Sequence, residues 1–226
     1  MTDPQDVASQ VSGEGARGAG IDPQMLPTGG GTIFTEPVLV VNQKAKLIEV
    51  TNQYSVFTRD GVQIASVNEV GQSKAKKLLR IVSSVDQFLT HTLEVRDATG
   101  GLAMTIVRPR KLLKSTVIVS DGSGTEVGRI VQQNAIGKIR FGLAAGNQEI
   151  GTLKAENWRA WNFAITDATG TEVARITKTF EGIAKALFTT ADNYVVQLHG
   201  TIAQPLLSLV VAAALSVDTA LKQDSK

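Results

Sequence analysis

From Phe34 onward the chain is written in short runs that alternate apolar and polar residues. That period belongs to strands with one buried face. Pro37–Asn42 and Lys46–Thr51 read as the first two strands. A unit then recurs: strand, tight turn ending in Gly or Asn, strand. Its copies are Tyr54–Ala65, Leu93–Met104, Val117–Gly128, Phe141–Gly151 and Phe163–Ala174. The turns are Asp60-Gly61, Asp97-Ala-Thr-Gly100, Asp121-Gly-Ser-Gly124, Gly146-Asn147 and Asp167-Ala-Thr-Gly170. An Asp at the start of such a turn bonds its own backbone, and Gly or Asn supplies the positive φ. Five hairpins make ten strands, the opening pair makes twelve, and Asn193–Leu198 adds a further run. The near-regular spacing predicts an antiparallel up-and-down sheet, closed or folded on itself. Ser73–Val82 reads as a short outer helix or an irregular strand, and Phe180–Thr190 as a connecting segment with helical character.

One stretch breaks the alternation. Pro205–Asp218 is apolar on all sides, with Ala212–Ala214 at its centre. A helix of that kind is buried all round, in a protein core or in lipid. Ile202–Val217 holds no charged residue, but its helix would measure only about 24 Å against a hydrocarbon core of about 30 Å. Ser208 and Ser216 can bond their own i−4 carbonyls and so permit burial. A core helix is the favoured reading. A closed barrel of about twelve strands is too wide for its own side chains to fill, and a central helix of small residues would fill it. The expected fold is therefore mainly β: a twelve-stranded closed antiparallel barrel around a hydrophobic C-terminal helix at 205–221.

Composition supports this. Of 226 residues, 42% are hydrophobic but only 5% aromatic, and 21 are Gly, which suits a turn-rich β protein. There is no cysteine, which excludes disulfides, thiolate metal sites and thiol catalysis. Residues 1–31 lack apolar periodicity and hold Arg17 against Asp3, Asp6, Glu14 and Asp22, so a disordered leader is expected there, followed by one domain over 32–222. With no basic and apolar signal at the N-terminus, a cytoplasmic location is expected. The formal charge of +2 gives no reason to expect a nucleic-acid partner.

That small total hides a basic segment. Lys74, Lys76, Lys77 and Arg80 form one cluster, and Arg108, Arg110, Lys111 and Lys114 form another. Brought together, they would make a surface for anionic phospholipid headgroups. Scattered, they would guard strand edges. Trp158 and Trp161, three apart, would face opposite sides of a strand, one towards the core.

Catalytic and metal motifs are weak. His91 and His199 stand alone on separate strands, with no ligand spacing. Asp97-Ala-Thr-Gly100 and Asp167-Ala-Thr-Gly170 contain an Ala that an aspartic-protease D-T-G lacks. Gly122-Ser-Gly124 is followed by a strand, not by the helix of a nucleophile elbow. Gly13-Glu-Gly-Ala-Arg-Gly18 spells a dinucleotide fingerprint without its preceding strand or following helix. No enzyme activity, cofactor or metal is expected.

The segment Phe188-Thr-Thr-Ala-Asp192-Asn193-Tyr194-Val-Val-Gln197-Leu, followed by an apolar helix ending in Val-Asp218, resembles the C-terminal signature of the phospholipid scramblase family. Leu39–Glu49, Asn52-Gln-Tyr54 and the Asp60-Gly61 turn resemble that family's opening strands. The resemblance spans about Thr32 to Leu221. It implies a Tubby-like fold, shared with plant LURP-one-related proteins, in which a twelve-stranded barrel encloses a C-terminal helix. It implies a lipid- or membrane-associated function linked to transbilayer phospholipid movement, peripheral on the inner face of the plasma membrane. A soluble regulatory or scaffold protein of the same class, binding a small ligand or a protein, is the alternative. The palmitoylated cysteine cluster of animal scramblases has no counterpart here. Two acidic positions of the family's calcium segment are Thr190 and Thr201 in this chain. Only Asp192 and Asn193 remain there, too few for a cation that takes about six to eight oxygens.

Overall fold

A computed structural model of the chain describes residues 29–43, 52–70, 90–109, 115–134, 140–157, 162–178 and 193–221. Twelve strands are present among them: β1 (Val38–Gln43), β2 (Asn52–Phe57), β3 (Gln63–Val70), β4 (His91–Asp97), β5 (Leu102–Arg108), β6 (Thr116–Asp121), β7 (Glu126–Gln132), β8 (Arg140–Ala145), β9 (Gln148–Asn157), β10 (Asn162–Asp167), β11 (Glu172–Lys178) and β12 (Asn193–Leu198). Among the described residues one helix follows, α1 (Leu206–Leu221). Each strand pairs antiparallel with its sequence neighbours, and β1 pairs with β12, so the sheet closes on itself. The barrel and its C-terminal helix are as the pattern predicts.

The strand count arises differently from the sequence reading. One opening strand, five hairpins and Asn193–Leu198 make the twelve. Of the expected second strand Lys46–Thr51, all residues lie outside those described, as do Ser73–Val82, Phe180–Thr190, Trp158 and Trp161.

Alternation sorts the two faces of the wall. In β4, Leu93 and Val95 point inward and are buried, while Thr92, Glu94 and Arg96 between them are partly exposed. In β5 the inward residues are Met104 and Ile106. The inner faces of all twelve strands meet α1 in one core, whose largest buried side chains include Tyr54, Tyr194, Phe163, Met104 and Leu209. On β1, β2 and β12 the outer positions Val38, Val40, Phe57 and Val195 are also buried.

The apolar block thus fills the barrel. Leu209, Val210, Val211 and Ala212 are fully buried, and burying each Val or Leu contributes about 1.5–3 kcal/mol. Small residues let the helix come close to the wall. A Cβ on Gly128 would lie 3.1 Å from Leu209 Cδ1, and one on Gly151 would lie 2.9 Å from Leu206 Cδ1. Polar contacts fix its ends. Gln204 Oε1 accepts bonds from the Ser208 amide (3.2 Å) and the Ser208 hydroxyl (2.7 Å), capping the first turn. Tyr194 donates its hydroxyl to the Ala214 carbonyl at 2.9 Å. Ser216 bonds its i−4 carbonyl, that of Ala212, at 2.7 Å as expected. Ser208 differs, taking the side chain of the i−4 residue instead of its backbone.

The antiparallel order gives the barrel two unlike ends. The turns β2–β3, β4–β5, β6–β7, β8–β9 and β10–β11 lie at one end, where the chain also turns from β12 into α1. The connections β1–β2, β3–β4, β5–β6, β7–β8, β9–β10 and β11–β12 lie at the other. There α1 points its C-terminus.

Candidate functional site

At the turn end, three turns share one construction. Asp97 Oδ1 accepts from the Thr99 amide (2.9 Å), the Thr99 hydroxyl (2.7 Å) and the Gly101 amide (2.9 Å). Asp121 does the same with Ser123 and Thr125, and Asp167 with Thr169 and Thr171. Hydrogen bonding to the charged form lowers each carboxyl below its ordinary value. The hydroxyls of Thr99, Ser123 and Thr169 contribute most. These aspartates close hairpins. Positive φ falls on Gly61, Gly100, Gly124, Gly146 and Gly170, one glycine in each of the five hairpins.

At the connection end the inner wall changes character. Beyond the apolar inward residues of β3, β4, β5 and β7 come Glu69, His91, Arg108 and Gln132, all buried. Register makes them neighbours. Val67 lies opposite Val95, and Leu93 opposite both Glu69 and Ile106. His91 then lies opposite Arg108, and its Nδ1 meets Glu69 Oε1 at 2.6 Å. Gln132 continues the arc: its Oε1 accepts from the Ser115 amide at 3.3 Å, and its Nε2 donates to the Asn134 carbonyl at 3.0 Å. Buried charges persist in a core only when paired and hydrogen-bonded. The arc β3–β4–β5–β6–β7 is therefore a polar lining inside an otherwise apolar barrel.

The basic clusters divide unequally. Lys74, Lys76, Lys77 and Arg80 belong to the connection β3–β4, and Arg110, Lys111 and Lys114 to the connection β5–β6; all seven lie outside the described residues. Arg108 is not a surface cation. It follows Met104 and Ile106 at every second position, so it faces inward and is only 7% exposed. That parity was readable in the sequence. Glu69 as the partner of His91 was not readable, because the contact depends on the register of two strands. The strands that carry both connections are successive in the barrel, so β3–β4 and β5–β6 are rooted side by side on one rim.

His199 lies half-buried near Glu172, its Nδ1 3.4 Å from the Glu172 carbonyl. Asp192 lies outside the described residues, and Asn193 begins β12. Among the described residues no group of three or more His, Asp or Glu is arranged to hold a metal ion, and no helix is long and apolar enough to cross a membrane.

The chain is similar to proteins already known. Altered inheritance rate of mitochondria protein 25 of Saccharomyces cerevisiae is 26% identical over 198 residues, covering 74% of this chain and 59% of the yeast protein. The chain thus spans less than two thirds of that relative's length. A protein of Arabidopsis thaliana with an X-ray structure gives a TM-score of 0.49 at 13% identity, covering 84% of this chain and 99% of that one. The family model described as Scramblase matches residues 19–221, starting within the expected leader, and the chain belongs to the Scramblase family.

Proposed function

We propose that this protein binds anionic phospholipid at the connection end of its barrel, peripherally and on a cytoplasmic membrane face, while α1 stays inside. Family membership supports a lipid-related function. The observation that carries the reading is topological. The two most basic connections, β3–β4 with Lys74, Lys76, Lys77 and Arg80, and β5–β6 with Arg110, Lys111 and Lys114, are rooted next to each other on one rim. Each basic residue near an anionic bilayer contributes about 1 kcal/mol, screened over a Debye length of about 10 Å at 0.1 M salt. Arg108, turned inward, drops out of this surface. Movement of phospholipid between leaflets is the activity the family name suggests, and it is proposed here as a consequence of rim binding.

Co-flotation with vesicles of increasing phosphatidylserine content tests the reading. Binding that rises with anionic lipid and falls with salt is expected, with loss in a Lys74→Gln, Lys76→Gln, Lys77→Gln variant. No binding at any composition sinks the reading and leaves a soluble regulatory or scaffold role. Binding that resists both salt and alkaline carbonate points to insertion of the chain. In reconstituted vesicles, dithionite should bleach inner-leaflet label faster with protein than without it if leaflets exchange.

A further inference from the structure

We propose that the outer wall of β8, β9 and β10 carries a second site, one that takes a phosphoryl-class anion on Arg140 and Lys154. The register sets Arg140 directly opposite Lys154. Both side chains are exposed on the outer face. Like charges placed directly opposite on paired strands repel.

The rest of the wall is built otherwise. Arg96 meets Glu94 at 2.7 Å, Arg129 meets Glu126 at 2.7 Å, and Arg175 meets Glu156 at 2.7 Å and Glu172 at 2.5 Å. Even Arg59 has Asp60 at 3.6 Å. Arg140 and Lys154 make no ion pair among the described residues.

The acids beside them are already engaged. Glu149 takes the Gln133 amide and the Thr152 hydroxyl. Asp167 is held by its own turn. The cations flank a groove of about 250 Å³ lined also by Thr152, Thr166, the backbone of Gly170 and the engaged carboxylates of Glu149 and Asp167. Gly151 and Ala168 add small residues to its lining. A guanidinium forks onto phosphate oxygens, an ammonium adds a point charge, and the Thr166 hydroxyl adds a donor. The groove has room for a phosphate group. The site uses none of the residues of the basic connections.

Amide NMR of the full chain tests it with inorganic phosphate and with glycerol 3-phosphate, beside flotation on vesicles containing phosphatidic acid. Shifts confined to β8, β9 and β10 are expected. Affinity should fall at least tenfold in the Arg140→Gln, Lys154→Gln double variant and stay unchanged in Arg129→Gln. If the double variant also loses binding to phosphatidic acid vesicles, the phosphoryl group is a lipid headgroup. If vesicle binding is unaffected, the ligand is a soluble phosphate. Absence of shifts in these strands with either phosphate, or equal affinity in the wild type and the double variant, overturns the proposal. Both results are independent of the Lys74, Lys76, Lys77 variant, which reports on the rim alone.

Discussion

At one end of the barrel, Asp97, Asp121 and Asp167 each tie a short turn to itself, and the first turn of α1 is capped by Gln204. At the other end, the connections run over longer stretches such as Val70 to His91, and the inner wall turns polar at Glu69, His91, Arg108 and Gln132. The first end is specified locally: every residue that closes a turn lies within four positions of its partner. The second is specified by register, since Glu69 and His91 meet only because β3 and β4 pair as they do. Loops that close themselves leave little surface to vary. Long connections on a rigid barrel are where binding residues accumulate, and the basic clusters fall there.

The contrast can be broken most severely from the helix that joins the two ends. Leu209→Ala empties space between α1 and β7 and should cost about 2–5 kcal/mol, read as a lower urea midpoint at unchanged slope. At the connection end, Glu69→Ala removes the contact to His91 inside the barrel and should cost about 1–3 kcal/mol. A conservative Glu69→Gln should recover part of that loss. An exposed reading of the pair predicts no change in either variant.

The turn end should respond more gently. Gly170 has φ of +88° with open space around its Cα. Gly170→Ala should therefore cost about 1 kcal/mol from backbone conformation alone, with no change in core packing seen by near-ultraviolet circular dichroism. The smallest effect is acidic. Asp97, Asp121 and Asp167 sit below their ordinary carboxyl values when folded. Their contribution is complete above about pH 4 and falls away as pH drops through the depressed values. Asp97→Asn should flatten that part of the urea midpoint against pH, with a slightly lower midpoint at neutral pH that converges on the wild type in acid.

What could be read in advance follows the same division. Alternation revealed the strands, the Asp-x-x-Gly spacing revealed the turns, and a uniformly apolar run revealed the helix, because each signal is contained in a few neighbouring residues. Arg108 was legible only in part: its charge suggested a surface, while its parity with Met104 and Ile106 placed it inside. The opposition of Arg140 and Lys154 could not be read at all, since a register shift at Leu143/Ala144 enters between the β8–β9 turn and that pair. Ser208 gave the right residue as partner at a different atom, because the Gln204 side-chain oxygen accepts both its hydroxyl and its amide.

This Scramblase family member holds its most hydrophobic segment inside its own barrel. Photo-crosslinking tests this directly. Wild-type protein is bound to anionic vesicles that carry a diazirine on the phospholipid acyl chain, irradiated, digested and mapped by mass spectrometry. Adducts are expected in the connections at the rim and on the outer wall, with none in Leu206–Ser216, whose residues lie within the barrel. Adducts within Leu206–Ser216 would contradict the account, because they would place α1 in the bilayer.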